Sequence, residues 1–518
     1  MTPNTDYHAA SWNEPIIYQL SQKGRRGSAI PTVEQEVREA AGDELEIPAS
    51  MRRKNAPKLP ELSEPQVIRH FLRLSQETFG VDSGIHIHGT CTMKYNPKIN
   101  EAVARSPKAS DLHPLQSEDT VQGTLEIMFQ LKKWLCQISG MDDFSLQPRG
   151  GAHAVFTNAL MIRAYHKTTH EAEERNEVIT TVHSHPCNGA SAALAGYKVI
   201  TLYPNPDTGC PDIEALKAAS SKHTAALMIT DPYDTGVFDP AIDEYIKIIH
   251  EVGGLVAVDQ ANANSLLCKL RIGDVGADLC HFNLHKTFSA PHGSTGPGSA
   301  PVGVKTQLTR FLPVPIVEFD GSKYHLNYNR PESVGMVGEF YGVVPNILKA
   351  YTWIMSMGED GLREASEIAV LNNNYLIKKL SKVKGITLPW AEKQPIRLQE
   401  ARFSLGKLKE ETGVGVNDVN HRIIDFGIQD SETSHEPWFI PEPLTPEPPE
   451  STSLEDIDQF VQTIDQVCRE AYSNPENVKN APHRASITRM DLTASSDSKK
   501  WAMTWRAYVR KHGVGRES

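Results

Sequence analysis

The chain has 518 residues, 39% of them hydrophobic and 23% charged, with a formal net charge of -11. That length holds roughly two to four units of ordinary domain size, and the acidic balance argues against a general nucleic-acid binder. No apolar run reaches bilayer length, and the seven scattered cysteines contain no CxxC pair, so they read as reduced thiols rather than a disulfide framework.

The N-terminus has no basic-then-apolar leader, which predicts a cytoplasmic protein. Residues 1–65 are polar, with proline and charge scattered through them. They predict an extended arm with short helices, of the kind that wraps a partner subunit. The stretch 65–75 predicts a helix. Residues 84–97 form a loop dense in small and polar groups, among them His88 and Thr90. In 119–140, Leu125, Met128, Leu131 and Leu135 recur at helical spacing, with Gly140 as a stop.

From Phe144 onward the pattern is regular. A short strand, 144–147, leads through Gly150-Gly151-Ala152-His153 into a helix that runs to Tyr165. Strands are predicted at 178–182, 197–202, 225–230, 254–259 and 279–284, and helices at 188–195, 211–220 and 240–252. This alternation implies βαβ units and a mainly parallel sheet, in which ligands bind at the carboxyl ends of the strands. After an apolar run at 311–318, helices are predicted at 338–357 and 362–382. From about residue 385 the elements shorten, a proline-rich stretch occupies 437–449, and a helix covers 454–472. The expected division is an N-terminal arm and helical segment at 1–115, a large α/β domain at 116–345, a smaller C-terminal α+β domain at 346–475 and a polar, basic tail at 476–518.

The chemistry centres on Lys286. It closes the apolar run 279–284, where burying an ammonium is costly and where burial turns lysine into a usable amine nucleophile. Such a lysine forms Schiff bases, including with pyridoxal phosphate. Alone, the segment reads more readily as a strand-end lysine facing solvent. Asp259 ends another apolar strand, where it can hold a pyridinium nitrogen or simply cap the next helix. Gly151, Ala152 and His153 open a helix whose bare amides suit a phosphate. His185 is placed to stack on the ring and His285 to reach the phosphate, and Gly293-Ser294-Thr295-Gly296 is a second anion-friendly loop. No GxxxxGK[ST], GxGxxG with a downstream acid, or GxSxG is present, so P-loop, dinucleotide and serine-hydrolase readings drop out. No HExxH or paired CxxC supports a metal site among the twenty histidines.

At these residues the chain resembles the pyridoxal-phosphate-carrying C-terminal half of the glycine cleavage system P protein, which is subunit 2 of split decarboxylating glycine dehydrogenase. The resemblance runs from about residue 70 to 489. It rests on Gly89-Thr90-Cys91-Thr92-Met93-Lys94-Tyr95-Asn96-Pro97-Lys98-Ile99-Asn100, His113-Pro114-Leu115-Gln116, Asn283-Leu284-His285-Lys286-Thr287-Phe288 and Pro301-Val302-Gly303-Val304-Lys305. It implies an α/β pyridoxal-phosphate-dependent transferase of fold type I, with Lys286 as the Schiff-base lysine. Asp259 is then the ring-nitrogen acid with Ala261 beside it, and His185 lies on the ring. His88, Thr90, Arg149 and Asn188 are the expected substrate contacts. A homodimer, or a heteromer with subunit 1, is implied, with Gly293–Gly298 reaching the phosphate of a neighbouring protomer and a lipoyl-bearing H protein as acceptor.

Several loops depart from the family pattern. Thr90 replaces a serine, Ala154-Val155 replace Gly-Glu, and Ser184-His185-Pro186-Cys187-Asn188-Gly189 replace Ala-His-Gly-Thr-Asn-Pro. Asp259-Gln260-Ala261-Asn262 replace Asp-Gly-Ala-Asn, and Gly293-Ser294-Thr295-Gly296-Pro297-Gly298 replace a run of four glycines before Pro-Gly. The leading expectation is decarboxylation of glycine. The altered loops keep open a diverged enzyme acting on another amino acid by decarboxylation, aldol-type cleavage or transfer. A catalytically silent or regulatory subunit is the third reading, and the retained Lys286 and Asp259 count against it.

Overall fold

The computed structural model describes residues 4–27, 32–42, 47–55, 57–89, 94–171, 173–291, 298–429, 431–434, 439–490 and 492–513. The chain divides into two compact units, residues 1–5 with 80–480, and residues 6–79 with 481–518.

The larger unit is built on a seven-stranded sheet. Its strands are β1 (Asp143–Ser145), β2 (Glu177–Thr181), β3 (Lys198–Leu202), β4 (Thr224–Thr230), β5 (Leu255–Gln260), β6 (Leu279–Phe282) and β7 (Val302–Val304), in the order β1-β7-β6-β5-β4-β2-β3. β7 runs antiparallel to β1 and β6, and the other pairs are parallel. The central strands are near-continuous apolar runs because both their faces are covered. Side chains alternate between the faces. Leu255 and Ala257 of β5 join Ala226, Met228 and Leu279 in one core, while Val256 and Val258 join Leu227, Ile229 and Cys280 in the other. Each fully buried Val, Leu or Ile contributes about 1.5–3 kcal/mol, so a one-residue slip of β5 would be opposed from both sides.

Helix α1 (Gln122–Ser139) presents Leu125, Met128, Leu131 and Leu135 to one face, as the spacing predicted, and ends at a left-handed Gly140. Helix α2 (Gly151–Thr168) and helix α3 (Cys187–Leu194) pack in the core on the opposite face, and helix α4 (Ile242–Glu251) packs on the α1 side. The two helices expected at 338–357 and 362–382 form one run, α5 (Val344–Leu380), broken at Gly358, where φ is 63° and ψ is -176°. A side chain is strained there, so the glycine permits the kink. The run starts later than predicted, with Pro345 in its first turn. The second half of α5 packs with α6 (Val416–Ile424) and α7 (Leu454–Ser473) around Leu376, Leu380, Val419, Phe460 and Ile464. The strand pair Ile316–Phe319 with Tyr324–Asn327 was not anticipated, while Phe403–Ser404 with Pro443–Leu444 lies in the region expected to hold short elements.

In the smaller unit, helix Glu64–Gln76 buries His70, whose ring lies 2.7 Å from Glu14. Arg73 bonds the same carboxylate at 2.9 Å. The N-terminal arm and the C-terminal tail meet here: Ala9 N donates to Arg484 O at 2.8 Å and Tyr18 stacks on Trp505 with ring centroids 5.0 Å apart. Among the described residues no helix is long and apolar enough to cross a membrane.

Candidate functional site

Three neighbouring strands end in a row of polar side chains. Thr230 of β4 pairs with Asp259 of β5, and Asp259 with His281 of β6. Strand alternation puts all three on the face covered by α2 and α3, continuing Met228, Ala257 and Leu279.

Asp259 is 4% exposed and densely bonded. Its Oδ1 accepts from the Ala261 amide at 2.9 Å, and its Oδ2 accepts from Asn188 Nδ2 at 3.1 Å and Thr230 Oγ1 at 3.2 Å. Burial pushes the carboxyl pKa up, but His281, His185 and the Ala261 and Asn188 bonds outweigh it and hold the group below the usual carboxylate range. His281 Nε2 lies 3.1 Å from Asp259 Oδ1 without hydrogen-bond geometry. Burial lowers the pKa of His281 against the pull of Asp259. A neutral His281 adds little charge, so the three donated hydrogen bonds are the firmer support for an ionised Asp259.

Thr230 ties this carboxylate to the loop after β2. Its hydroxyl accepts from His185 N at 3.0 Å and Asn188 Nδ2 at 3.2 Å while donating to Asp259, which uses its full hydrogen-bonding capacity. Its own amide donates to Ser184 Oγ at 3.0 Å. His185 is half-buried, and its Nδ1 accepts from Cys187 N at 3.1 Å, which leaves the proton of a neutral ring on Nε2.

Lys286 lies in the turn directly after β6, partly buried, with its amide donating to Asn283 O at 3.0 Å. Its charge and that of Asp259 both reach the Cys187 thiol. The parallel pairing of β5 with β6 thus carries the two sequence-predicted groups to one edge.

Helix α2 starts beside them. Gly151 sits so close to β6 that a Cβ there would lie 3.0 Å from Asn283 Nδ2. Ala152 is exposed, and His153 Nδ1 accepts from Arg149 N at 3.2 Å. Burial and the Arg149 charge lower the His153 pKa despite an opposing bond from Val337. His285 is buried, and its Nδ1 accepts from Ser299 N at 3.1 Å. Gly293, Ser294, Thr295, Gly296 and Thr90 lie outside the described residues.

The expected substrate contacts are placed differently from one another. Asn188 is 2% exposed and commits its amide to Asp259, Thr230 and the His185 carbonyl, so it belongs to the clamp around Asp259. Arg149 is held by Glu339, with Nη1 2.9 Å from Oε2 and Nη2 donating to the backbone oxygen at 2.8 Å. His88 Nε2 lies 2.9 Å from Glu432 Oε2.

Sequence reasoning assigned no role to Thr230, His281, Arg402 or Lys94, although Lys94 stands in the quoted Thr-Met-Lys run. Lys94 is buried, 2.7 Å from Glu450 Oε1 and 4.1 Å from the centre of the Trp353 ring. Burial lowers its pKa against the pull of Glu450. Ser289 Oγ donates to Tyr95 O at 2.9 Å, tying the same loop to the turn that carries Lys286. A cavity of about 680 Å³ lies elsewhere, against the Gly358 break, lined by Trp134, Ile354 and Leu362 among others.

Known proteins match the chain over nearly its whole length. The family model for the glycine dehydrogenase C-terminal domain matches residues 365–486, and that for class-V aminotransferases matches residues 149–296. The chain is 47% identical over 504 residues to a probable glycine dehydrogenase (decarboxylating) subunit 2 of Pyrococcus furiosus, covering 97% of this chain and 98% of that protein. It is 44% identical over 489 residues to the protein of that name in Caldanaerobacter subterraneus, covering 94% and 98%. Among solved structures, glycine decarboxylase (P-protein) of the glycine cleavage system, in inhibitor-bound form, aligns with a TM-score of 0.70 at 18% identity, covering 85% of this chain and 99% of that one. A Burkholderia pseudomallei sphingosine-1-phosphate lyase aligns with a TM-score of 0.60 at 14% identity, covering 86% and 97%. With a near-full-length match at this identity, the chain belongs to the glycine dehydrogenase (decarboxylating) subunit 2 family, within the fold type I enzymes that depend on pyridoxal phosphate.

Proposed function

We propose that the chain binds pyridoxal phosphate at the ends of β5 and β6 and decarboxylates glycine, as the cofactor-carrying subunit of a glycine decarboxylase. One observation supports this above the others. An ionised carboxylate, Asp259, is fixed by three hydrogen bonds on the same sheet edge as Lys286.

The residues present fit the cofactor. Asp259 Oδ1 accepts one hydrogen bond among the described residues, leaving a lone pair for a protonated ring nitrogen. Gly151 opens α2 without a side chain, packed against Asn283, and helix amides at such a start attract a phosphate. When bound, pyridoxal phosphate supplies an electrophilic carbonyl for the amine and a ring that takes up the electron pair left as carbon dioxide departs.

The protein's part is to hold and to orient. Lys286 anchors the cofactor through its amine and yields that place to the incoming substrate amine. Asp259 keeps the ring nitrogen protonated, which makes the ring a stronger acceptor of electrons. His185 covers one face of the ring, and the Thr230 and Asn188 bonds fix the loop that carries it. Gly151, Ala152, His153 and His285 hold the phosphate, with 293–296 as a further anion loop from a second protomer. Relatives carry the name subunit 2, which supports a subunit 1 partner, with a homodimer as the other arrangement. The aminomethyl group left after decarboxylation requires an acceptor, for which a lipoyl-bearing H protein is the expected partner.

The test is exchange of labelled bicarbonate into glycine by the purified chain with subunit 1 and H protein. Wild type should be yellow and active, and Lys286→Ala should lose both the borohydride-reducible adduct and the exchange. Absence of bound cofactor in wild type, or a response of its absorption band to another amino acid and none to glycine, would overturn the proposal.

A further inference from the structure

Helix Glu64–Gln76 of the smaller unit shows its apolar stripe to solvent. A surface helix ordinarily buries that stripe and exposes its polar one, but this helix buries only His70. Its polar stripe faces inward: His70 Nδ1 lies 2.7 Å from Glu14 Oε1 and Arg73 Nη1 donates to Glu14 Oε2 at 2.9 Å. The Glu14 side chain is 3% exposed. On the opposite stripe stand Ile68, Phe71 and Leu72, 57%, 56% and 55% exposed. Residues three and four apart are neighbours on a helix surface, so the three side chains form one patch. Rolling the helix to cover the patch would leave the Glu14 carboxylate buried and unpaired, which is costly. The rotation is therefore fixed, and a contiguous apolar patch of this kind marks an interaction site.

Charge says what covers it. Residues 6–79 and 481–518 hold 18 Lys and Arg against 14 Asp and Glu, a net charge of +4, while the rest of the chain holds 35 against 50, a net of -15. Arg69 is exposed and flanks the patch, and the helix Trp505–His512 adds Arg506, Arg510 and Lys511 to the same unit. An apolar stripe on a basic unit fits an acidic partner. The larger unit of another copy of this chain carries the opposite charge in excess, and it exposes apolar side chains of its own, among them Phe319, Tyr328 and Met336.

We propose that the Ile68, Phe71 and Leu72 stripe docks on the acidic larger unit of a second copy of this chain. Side chains at i, i+3 and i+4 are the anchors by which a helix lies in an apolar groove, and the aromatic Phe71 is the central one. Made reciprocally, the contact closes a two-fold dimer. No residue of the cofactor site takes part, so the assignment stands or falls apart from the catalytic reading.

The experiment places the photo-crosslinking residue p-benzoylphenylalanine at position 71 of the full chain and mixes unlabelled with isotope-labelled copies. Crosslinked peptides of mixed isotope should join position 71 to residues within 80–480. Sedimentation equilibrium should show a wild-type dimer, weakened about 100-fold by Phe71→Asp and about 10-fold by Phe71→Lys. Both variants lose the apolar anchor, but only lysine keeps attraction to an acidic surface. Ile68→Asp should follow Phe71→Asp. Should a charged variant fail to fold, the crosslink decides alone. A monomeric wild type, crosslinks confined to one isotope, or crosslinks to residues 6–79 or 481–518 of the other copy overturn the assignment. So do crosslinks that move to subunit 1 when it is added, association unchanged in Phe71→Asp and Phe71→Lys, or a greater loss with lysine than with aspartate.

Discussion

The side-chain amide of Asn188 donates to Asp259 Oδ2 at 3.1 Å from the first turn of an eight-residue helix, α3. The bond spans 71 residues of sequence and fixes the carboxylate from the side opposite Ala261. Removing it with Asn188→Ala should cost about 1–2 kcal/mol of support for the ionised form. Asp259 should then titrate at higher pH, and cofactor affinity should drop about tenfold, read by fluorescence titration of the apoprotein. Unchanged affinity would mean that the remaining two donors suffice.

Thr230→Val tests the centre of the same network. The substitution preserves shape but strands the His185 amide and removes one donor from Asp259, while the Asn188 amide keeps Asp259 and the His185 carbonyl. A loss of about 1–3 kcal/mol in unfolding free energy is expected, together with reduced exchange activity. Thr230→Ser should restore most of both. If Val and Ser behave alike, the hydroxyl is not the element that matters.

His183 predicts a pH dependence of stability. It is 5% exposed, its neighbours include the rings of Tyr233 and Phe439, and burial, with the Arg402 charge, lowers its pKa to about 3 from 6.5. Below pH 6.5 the unfolded chain binds this proton and the folded chain does not. The contribution is therefore complete above 6.5 and is lost as pH falls toward 3. Between pH 7 and pH 5 wild type should lose about 2 kcal/mol through this group alone. Denaturant unfolding of His183→Phe at both pH values should show that increment missing.

The Lys94–Glu450 pair predicts a double-mutant cycle. Lys94→Met leaves a largely buried carboxylate alone and should cost about 3 kcal/mol. Adding Glu450→Gln should recover much of that loss, because the desolvation of both charges disappears. Thermal unfolding of the four proteins measures the coupling, and additive losses would show that the two groups act separately.

Gly151→Val places methyl groups where a Cβ alone would already lie 3.0 Å from the Asn283 amide. The phosphate end of the cofactor should lose affinity by at least about tenfold, while the far-UV spectrum of the apoprotein stays unchanged.

Much of the fold is legible in the sequence because the parallel strands are buried on both faces and so appear as unbroken apolar runs. β5 and β6 stand out this way, and so do Asp259, next to the last residue of β5, and Lys286, in the turn just beyond β6. β7 does not, since three residues between Pro301 and Lys305 carry too short a pattern. The predicted helix over 338–357 begins late because its apolar residues before Val344 belong to turns around Phe340 and Gly342, both at positive φ. Thr230 and His281 are invisible to any linear reading, because their role comes from register across β4, β5 and β6. Asn188 is read as a substrate contact for the same reason: its partner lies on another strand. Arg402 and Thr445 are drawn together by a strand pair of two residues each, Phe403–Ser404 with Pro443–Leu444, which leaves no periodic signature.

That two-residue ribbon has a consequence for divergence. Asp259 cannot be re-aimed without shifting three hydrogen-bonded strands and the two cores that grip them. Arg402 and Thr445 hang from a ribbon short enough to be redrawn by a few substitutions. The network around Asp259 and the ribbon are therefore held by separate parts of the fold, so substitutions can accumulate in the ribbon while the network keeps its geometry.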